Sequence, residues 1–262
     1  MIWTLVFICA ATAVLISGRR LTLAGDHLAE LTDLSRGFVG VILLGLVTSL
    51  PEMASTVSAA LFLKSPDLAM GNIFGSNAAN LAILGVISLF STGPLQAKQQ
   101  LDGENLLTAY LSLIMISLAL MGLGAHGFWR VFHLDIFSLL IATTYLMGLK
   151  KLHAFQNHPH NSFQVGEKTG LERVPRELRK SLLINAAMIV VASSSLAASA
   201  EQLAEISGWG TTFVGNSLLA IATSLPEIVV TFSAIGIGSF SMAAGNIFGS
   251  NIFNVAILAG YR

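Results

Sequence analysis

The sequence contains few charged residues and almost no cysteine. Charged side chains make up 11% of the 262 residues, against about 25% in soluble domains, whereas 54% are hydrophobic. The 14 basic and 14 acidic residues cancel, so neither a nucleic-acid surface nor an acidic tail is expected. The single cysteine, Cys9, cannot form an internal disulfide. This composition argues against a soluble domain and is typical of a membrane protein.

Long apolar runs predict eight membrane-spanning helices. Each run has about 17–25 residues, the length that crosses a hydrocarbon core about 30 Å thick. The predicted spans are 1–17, 38–63, 68–91, 104–124, 132–149, 181–200, 211–236 and 241–260. The first run is open to interpretation as a signal peptide, but it lacks a basic leader and ends at Arg19 and Arg20, so we predict a retained helix. The predicted fold class is therefore an all-α polytopic membrane protein.

Two stretches of the chain, residues 37–84 and 212–258, are nearly the same. Each holds TSLPE and then GNIFGSN, with another asparagine three residues further on. Each also places one glutamate, Glu52 or Glu227, in strongly apolar sequence. A charged side chain at the bilayer centre costs about 2.5–3.5 kcal/mol on insertion scales, so two at matched positions indicate a functional pair. Duplicated, proline-interrupted helices are typical of secondary transporters.

The basic residues predict how the chain is oriented. Most of the 14 lysines and arginines follow the first, third and fifth spans, which the positive-inside rule places in the cytoplasm, with the N-terminus outside. The second and seventh spans then run in opposite directions, so the two repeats are predicted to be inverted. We predict a first inverted repeat over 1–150, a basic cytoplasmic loop over 151–180 and a second, incomplete repeat over 181–262.

Each repeat combines a carboxylate with other oxygen donors. Pro51 and Pro226 cannot donate a backbone hydrogen bond, which frees the carbonyl groups of Val47 and Ala222 for a cation or water. Hydroxyl side chains stand three and four residues before each glutamate, and a serine stands four residues before the final asparagine of each repeat. Such hard oxygen ligands suit Ca²⁺ and Na⁺, and these segments contain no His or Cys.

Other readings of these motifs are weaker. His153, His158 and His160 are more typical of a solvated connector than of a metal site. The GNIFGSN segments do not resemble phosphate loops, because no lysine follows and the sequence around them is apolar. Their Gly-x-x-x-Gly spacing is also typical of close helix packing. Further hydroxyl residues can simply bond their own backbone; these are Ser55, Thr56, Ser58, Thr231 and Ser233. For the two glutamates, the alternative is a buried structural pair.

The doubled, inverted motif resembles the alpha repeats of the cation/calcium antiporter superfamily, in the sodium/calcium exchanger branch. The resemblance implies an inverted-repeat antiporter of ten helices, of which this sequence carries about eight, so it resembles a member that lacks the last two. It implies acidic cation ligands at Glu52 and Glu227 and amide ligands at Asn80 and Asn254. The hydroxyl and carbonyl ligands that it implies are Thr48, Ser49, Thr223, Ser224, Ser76, Ser250, Gly45 and Ala220.

The resemblance implies exchange of Ca²⁺ for Na⁺ by alternating access. Ca²⁺/H⁺ antiport stays open as an alternative, because exchangers of the sodium branch commonly carry an Asp at one of the positions where both repeats here have Asn. The TSLPE motif favours the sodium branch, because it differs from the GN-x-x-E form of the proton branch. A passive cation channel is the alternative from another class. No enzymatic constellation, cofactor, nucleic acid or protein partner is expected. The expected partners are the lipid bilayer and the transported ions, and the expected location is the plasma membrane.

Overall fold

The computed structural model describes residues 1–61, 64, 66–90, 103–124, 130–131, 134–156, 174–208 and 213–259. The first helical segments are α1 (Ile2–Thr32), α2 (Arg36–Val39), a π-helical turn (Gly40–Leu44) and α3 (Gly45–Leu61). They are followed by α4 (Pro66–Phe90), α5 (Gly103–Gly124), α6 (Ile136–Gln156), α7 (Arg176–Ile206), α8 (Phe213–Gly236) and α9 (Phe240–Leu258). A short antiparallel pair joins β1 (Arg130–Val131) to β2 (Leu134–Asp135).

The helix count agrees with the prediction from the sequence. Because α2, the π-helical turn and α3 are continuous, the described part of the chain holds eight long helical segments, one for each predicted span. Six of these are long and apolar enough to cross a membrane: Ile2–Thr32, Arg36–Ala60, Leu68–Leu89, Gly103–Gly124, Arg176–Ile206 and Leu219–Gly236. Large apolar side chains lie exposed on the outer helices, Leu5, Leu113 and Leu183 among them, as expected of a lipid-facing surface.

The predicted end of the first helix is wrong. The prediction ended the helix at residue 17, before Arg19 and Arg20, but α1 continues to Thr32. No proline interrupts residues 18–32, and helix geometry accepts single polar residues wherever they reach solvent. The helix ends only where Asp33 adopts the left-handed conformation, with φ 54°. Helices also extend into the stretch 151–180, since α6 continues to Gln156 and α7 begins at Arg176; residues 157–173 lie outside the described part.

Helix α9 is the central element of the fold. It contacts α3, α4, α5 and α8, and most of its side chains are buried. On one side Met242 packs with Leu44 and Val230, and on the other Ile252 packs with Ile73. α1 lies against α7 and α8 at the periphery. The second helix of the second repeat is therefore buried in protein, whereas its counterpart α4 exposes Leu68, Leu81 and Leu89.

The start of α2 is tied to α5 by a buried carboxylate. The Ser35 hydroxyl accepts a hydrogen bond from Phe38 N at 2.9 Å and caps the helix. The same hydroxyl donates to Glu104, which is only 4% exposed in the first turn of α5. Helix N-termini carry a partial positive charge that stabilises a carboxylate. Glu104 therefore anchors the N-terminal ends of two helices to each other.

Candidate cation-binding site

Glu52 and Glu227 occupy matched positions in the middle of α3 and α8. Each follows a proline that stays inside its helix, Pro51 or Pro226. The two carboxylates are 2% and 1% exposed and lie near enough for the charge on Glu227 to act on Glu52. Two like charges in a buried site repel each other unless a cation or proton lies between them. The structure thus brings together the two residues that the repeats predict as a pair.

Several oxygen atoms of the predicted ligands have no hydrogen-bond partner among the described residues. They belong to one hydroxyl, two carboxylates and one amide: Ser49 Oγ, Glu52 Oε2, Glu227 Oε1 and Oε2, and Asn254 Oδ1. Buried polar atoms are almost always paired, because leaving one unpaired costs about 1–3 kcal/mol and more for a charged group. Unpaired oxygen atoms on several buried side chains of this kind are the pattern that a cation would satisfy.

Thr48, Gly45 and Ser250 form one compact group where α3 meets α9. The Thr48 and Ser250 hydroxyl oxygens lie 3.1 Å apart, within hydrogen-bond distance. Each also lies within hydrogen-bond distance of the Gly45 carbonyl oxygen, Thr48 at 3.4 Å and Ser250 at 3.3 Å. Thr48 and Ser250 are completely buried. Three predicted ligands from two repeats are therefore in direct contact.

The two predicted amide ligands are held by two further asparagines. Asn80 Nδ2 donates to Asn251 Oδ1 at 3.0 Å, and Asn254 Nδ2 donates to Asn77 Oδ1 at 3.1 Å. All four side chains are at most 2% exposed. Asn77 and Asn251 end the two GNIFGSN motifs. The two hydrogen bonds are therefore equivalent to each other under the correspondence between the repeats. Our sequence reasoning did not select these residues, although their identity in both copies was a signal that it passed over.

The remaining predicted ligands lie on a less enclosed side. The Thr223 hydroxyl, half-buried, donates to its own helix at Leu219 O (3.1 Å) and Ala220 O (3.0 Å). Ala220 is exposed and Ser76 is half-buried, whereas their counterparts Gly45 and Ser250 are buried. Ser224 is 7% exposed, close to the burial of its counterpart in α3. The structure does not bring Thr223, Ala220 and Ser76 into the direct contact that Thr48, Gly45 and Ser250 make.

A second matched pair of contacts lies one turn beyond the glutamates. Asn72 Nδ2 donates to Thr56 Oγ1 at 2.8 Å, and Asn246 Nδ2 donates to Thr231 Oγ1 at 3.0 Å. Both threonines are completely buried. Each hydroxyl thus accepts a hydrogen bond from the next helix of the same repeat. These contacts join the two helices of each repeat.

The donor set is one that a hard cation requires. No group of three or more His, Cys, Asp or Glu side chains is found in the part of the chain that the structure describes, so the site offers two carboxylates with neutral oxygen donors around them. Ca²⁺ takes six to eight oxygen ligands in flexible geometry, and the carboxylate, hydroxyl and amide groups found here are of that type. As a transported substrate, Ca²⁺ or Na⁺ fits these residues better than a soft metal does.

A buried carboxylate pair on two proline-containing helices of a helical membrane protein is typical of a cation transporter. Residues 2–147 and 181–261 match the family described as sodium/calcium exchanger protein. The match covers well over half of the chain. The protein belongs to this family, which confirms the resemblance seen in the motifs and makes it an antiporter, not an enzyme.

The chain is similar to several named relatives. It is 28% identical to the inner membrane protein YrbG of Escherichia coli, over 98% of this chain and 78% of that one. It is also 28% identical to the sodium/calcium exchanger MaX1 of Methanosarcina acetivorans, over 90% of this chain and 75% of the relative. The solved structure of the sodium/calcium exchanger from Methanococcus jannaschii matches with a TM-score of 0.75, at 21% identity, over 99% of this chain and 81% of that one. This likeness confirms the predicted fold.

Proposed function

We propose that the chain exchanges Ca²⁺ for Na⁺ across the membrane by alternating access, with Glu52 and Glu227 as the shared carboxylate ligands. The observation that carries the proposal is the buried pair, whose three unpaired carboxylate oxygens lie among neutral oxygen donors. Two carboxylates neutralise one Ca²⁺ or two monovalent cations, and therefore bind them in competition. The proposed neutral ligands are Thr48, Ser49, Thr223, Ser224, Ser76, Ser250, Asn80, Asn254 and the carbonyl groups of Gly45 and Ala220.

Family membership and the name of MaX1 support sodium as the counter-ion. A specific observation also favours protons as a second candidate. Because Asn80 and Asn254 carry no charge, the formal charge of the site comes from Glu52 and Glu227 alone. Two protons neutralise it as well as two sodium ions do. The counter-ion therefore has to be decided by measuring flux.

Close packing between the repeats supports alternating access. Helix α3 touches α9 so closely that a methyl group at Gly45 would lie 2.8 Å from Ser250 N. One side of the site is thus closed by helix packing. An alternating transporter requires this contact to open during transport, whereas a passive channel does not.

The orientation is proposed from the basic residues. Lys150 and Lys151 lie near the C-terminal end of α6, and Arg179 and Lys180 lie near the N-terminal end of α7. The positive-inside rule places both ends in the cytoplasm. Under this rule the N-terminus is outside and the two repeats are inverted. We propose the plasma membrane as the location and 1–150 and 181–262 as the two halves, joined by the loop 151–180.

Calcium uptake into proteoliposomes tests the proposal. The purified chain is reconstituted with internal Na⁺, internal protons or no gradient, and ⁴⁵Ca²⁺ uptake is measured in each case. We expect uptake that depends on internal Na⁺ and is absent in Glu52→Gln. Uptake driven only by the proton gradient would replace Na⁺ by H⁺ as the counter-ion. Uptake that needs no counter-ion on the opposite side would identify a channel and contradict exchange.

A further inference from the structure

We propose that Asn77 and Asn251 are positioning residues for cation binding. Each one fixes the side-chain amide of an asparagine on the facing helix, so that the oxygen of that amide is directed to the ion. Asn77 positions Asn254, and Asn251 positions Asn80. The inference rests on the proposed function, because it concerns the orientation of two of the ligands proposed there.

The direction of the two hydrogen bonds carries the inference. Asn80 and Asn254 both use their NH₂ group as the donor, to Asn251 Oδ1 at 3.0 Å and to Asn77 Oδ1 at 3.1 Å. An amide carries its oxygen and its NH₂ group on one planar carbon, so fixing the NH₂ group also fixes where the oxygen points. The oxygen of Asn254 then has no hydrogen-bond partner among the described residues, in a side chain that is 1% exposed.

Orientation matters because the two ends of an amide have opposite effects on a cation. The oxygen attracts a cation, whereas the NH₂ group carries partial positive charge and repels it. An amide that has lost its partner can turn either its oxygen or its NH₂ group to the ion. Its average attraction for the ion is then weaker. Partners that orient a ligand without touching the ion typically cost 10–100-fold in metal affinity when they are removed.

The crosswise pairing distinguishes positioning from ordinary packing. Asn77 lies on α4 but holds Asn254 of α9, and Asn251 lies on α9 but holds Asn80 of α4. Asn254 should therefore depend only on Asn77, and Asn80 only on Asn251. A residue with a merely structural role would affect both ligands alike, since both pairs join the same two helices.

A double-mutant cycle on the full chain tests this dependence, with Ca²⁺ affinity measured by calorimetry on the protein in detergent. Asn77→Leu should weaken Ca²⁺ binding about tenfold in the unmodified background. In the Asn254→Ala background, Asn77→Leu should have no further effect, because the amide that it positions is gone. Asn251→Leu should still weaken binding about tenfold there, since Asn80 remains.

Two variants serve as controls. Asn185 is a buried asparagine of α7, outside both repeat motifs, whose NH₂ group donates to Ser181 O at 2.6 Å. Asn185→Leu should leave the Ca²⁺ affinity unchanged. Asn77→Asp keeps an oxygen acceptor for Asn254, so removing the Asn254 amide should still cost affinity in this variant. If Asn77→Leu does not fold, Asn77→Asp and the mirror cycle of Asn251 with Asn80 complete the test.

The outcomes separate the two proposals. Equal losses for Asn77→Leu with and without Asn254→Ala, in a protein that binds Ca²⁺, would overturn the positioning role and leave the proposed function intact. A purified wild-type protein that binds neither Ca²⁺, Sr²⁺ nor Na⁺ would overturn the proposed function and the positioning role together. If Asn77→Leu weakens Ca²⁺ binding in the unmodified protein but not in the Asn254→Ala background, the positioning role is supported.

Discussion

The Ser250 hydroxyl of α9 donates a hydrogen bond to the Gly45 carbonyl oxygen of α3 at 3.3 Å. This bond joins the first repeat to the second on the closed side of the site, and it requires that no side chain stand at position 45. A methyl group there would lie 2.8 Å from Ser250 N and 3.0 Å from Gly249 C. Helices in a membrane gain little from burying apolar surface, so close approach at small residues is what holds them together.

Gly45→Ala is therefore expected to destabilise the protein. The methyl group must push two backbones apart, and overpacking of this kind costs about 1–3 kcal/mol. The melting temperature in detergent should fall by several degrees. Gly75→Ala is the matched control, because a methyl group at Gly75 meets no atom of the described chain within 4 Å. Equal melting temperatures for the two variants would show that the contact between α3 and α9 is not needed for stability.

Glu52→Gln and Glu227→Gln should each abolish calcium transport while the protein still folds. A glutamine keeps the size and an oxygen ligand but removes one of the two charges that compensate Ca²⁺. Leaving a buried charge uncompensated costs about 3–5 kcal/mol, enough to reduce occupancy by several orders of magnitude. The check is ⁴⁵Ca²⁺ uptake into proteoliposomes, with size-exclusion chromatography as the folding control. Near-normal uptake by either variant would refute the assignment of the carboxylates as ligands.

Lowering the pH should weaken Ca²⁺ binding by competition. A proton on either carboxylate removes a negative charge that Ca²⁺ requires. Protons and Ca²⁺ therefore compete for the same site and do not occupy it together. The two glutamates interact, and they should therefore titrate as a pair. Calcium affinity is measured at a series of pH values at constant ionic strength. An affinity that does not change between alkaline and mildly acidic pH would contradict a shared carboxylate site.

Exchange should be close to electroneutral, and Asn254→Asp should make it more sensitive to voltage. The unmodified site carries a formal charge of minus two, which two monovalent cations or one Ca²⁺ neutralise. A third sodium ion would leave excess positive charge in the membrane centre, which is costly. An aspartate at position 254 would compensate it. The measurement is calcium uptake at potentials set by valinomycin. Strong voltage dependence of the unmodified protein, unaltered in Asn254→Asp, would remove this explanation.

The number of helices, the pairing of Glu52 with Glu227 and the family can all be predicted from the sequence. Length and polarity limit what can lie in a membrane, so apolar runs and isolated charges are readable one residue at a time. The repeated motif then located most proposed ligands, because two copies at matched positions reveal what a single copy leaves ambiguous. The end of the first helix was misplaced furthest, since Arg19 and Arg20 are polar without breaking a helix.

Which oxygen atoms are paired and which are not depends on the packing of the whole fold. Asn77 and Asn80 look equivalent in sequence, yet one accepts a hydrogen bond and the other donates one across to α9. Likewise Gly45 and Ala220 occupy matched positions, but Gly45 is packed against Ser250 while Ala220 is exposed. These differences depend on where helices from distant parts of the chain meet. Local sequence does not encode that meeting, because it results from the packing of the whole bundle.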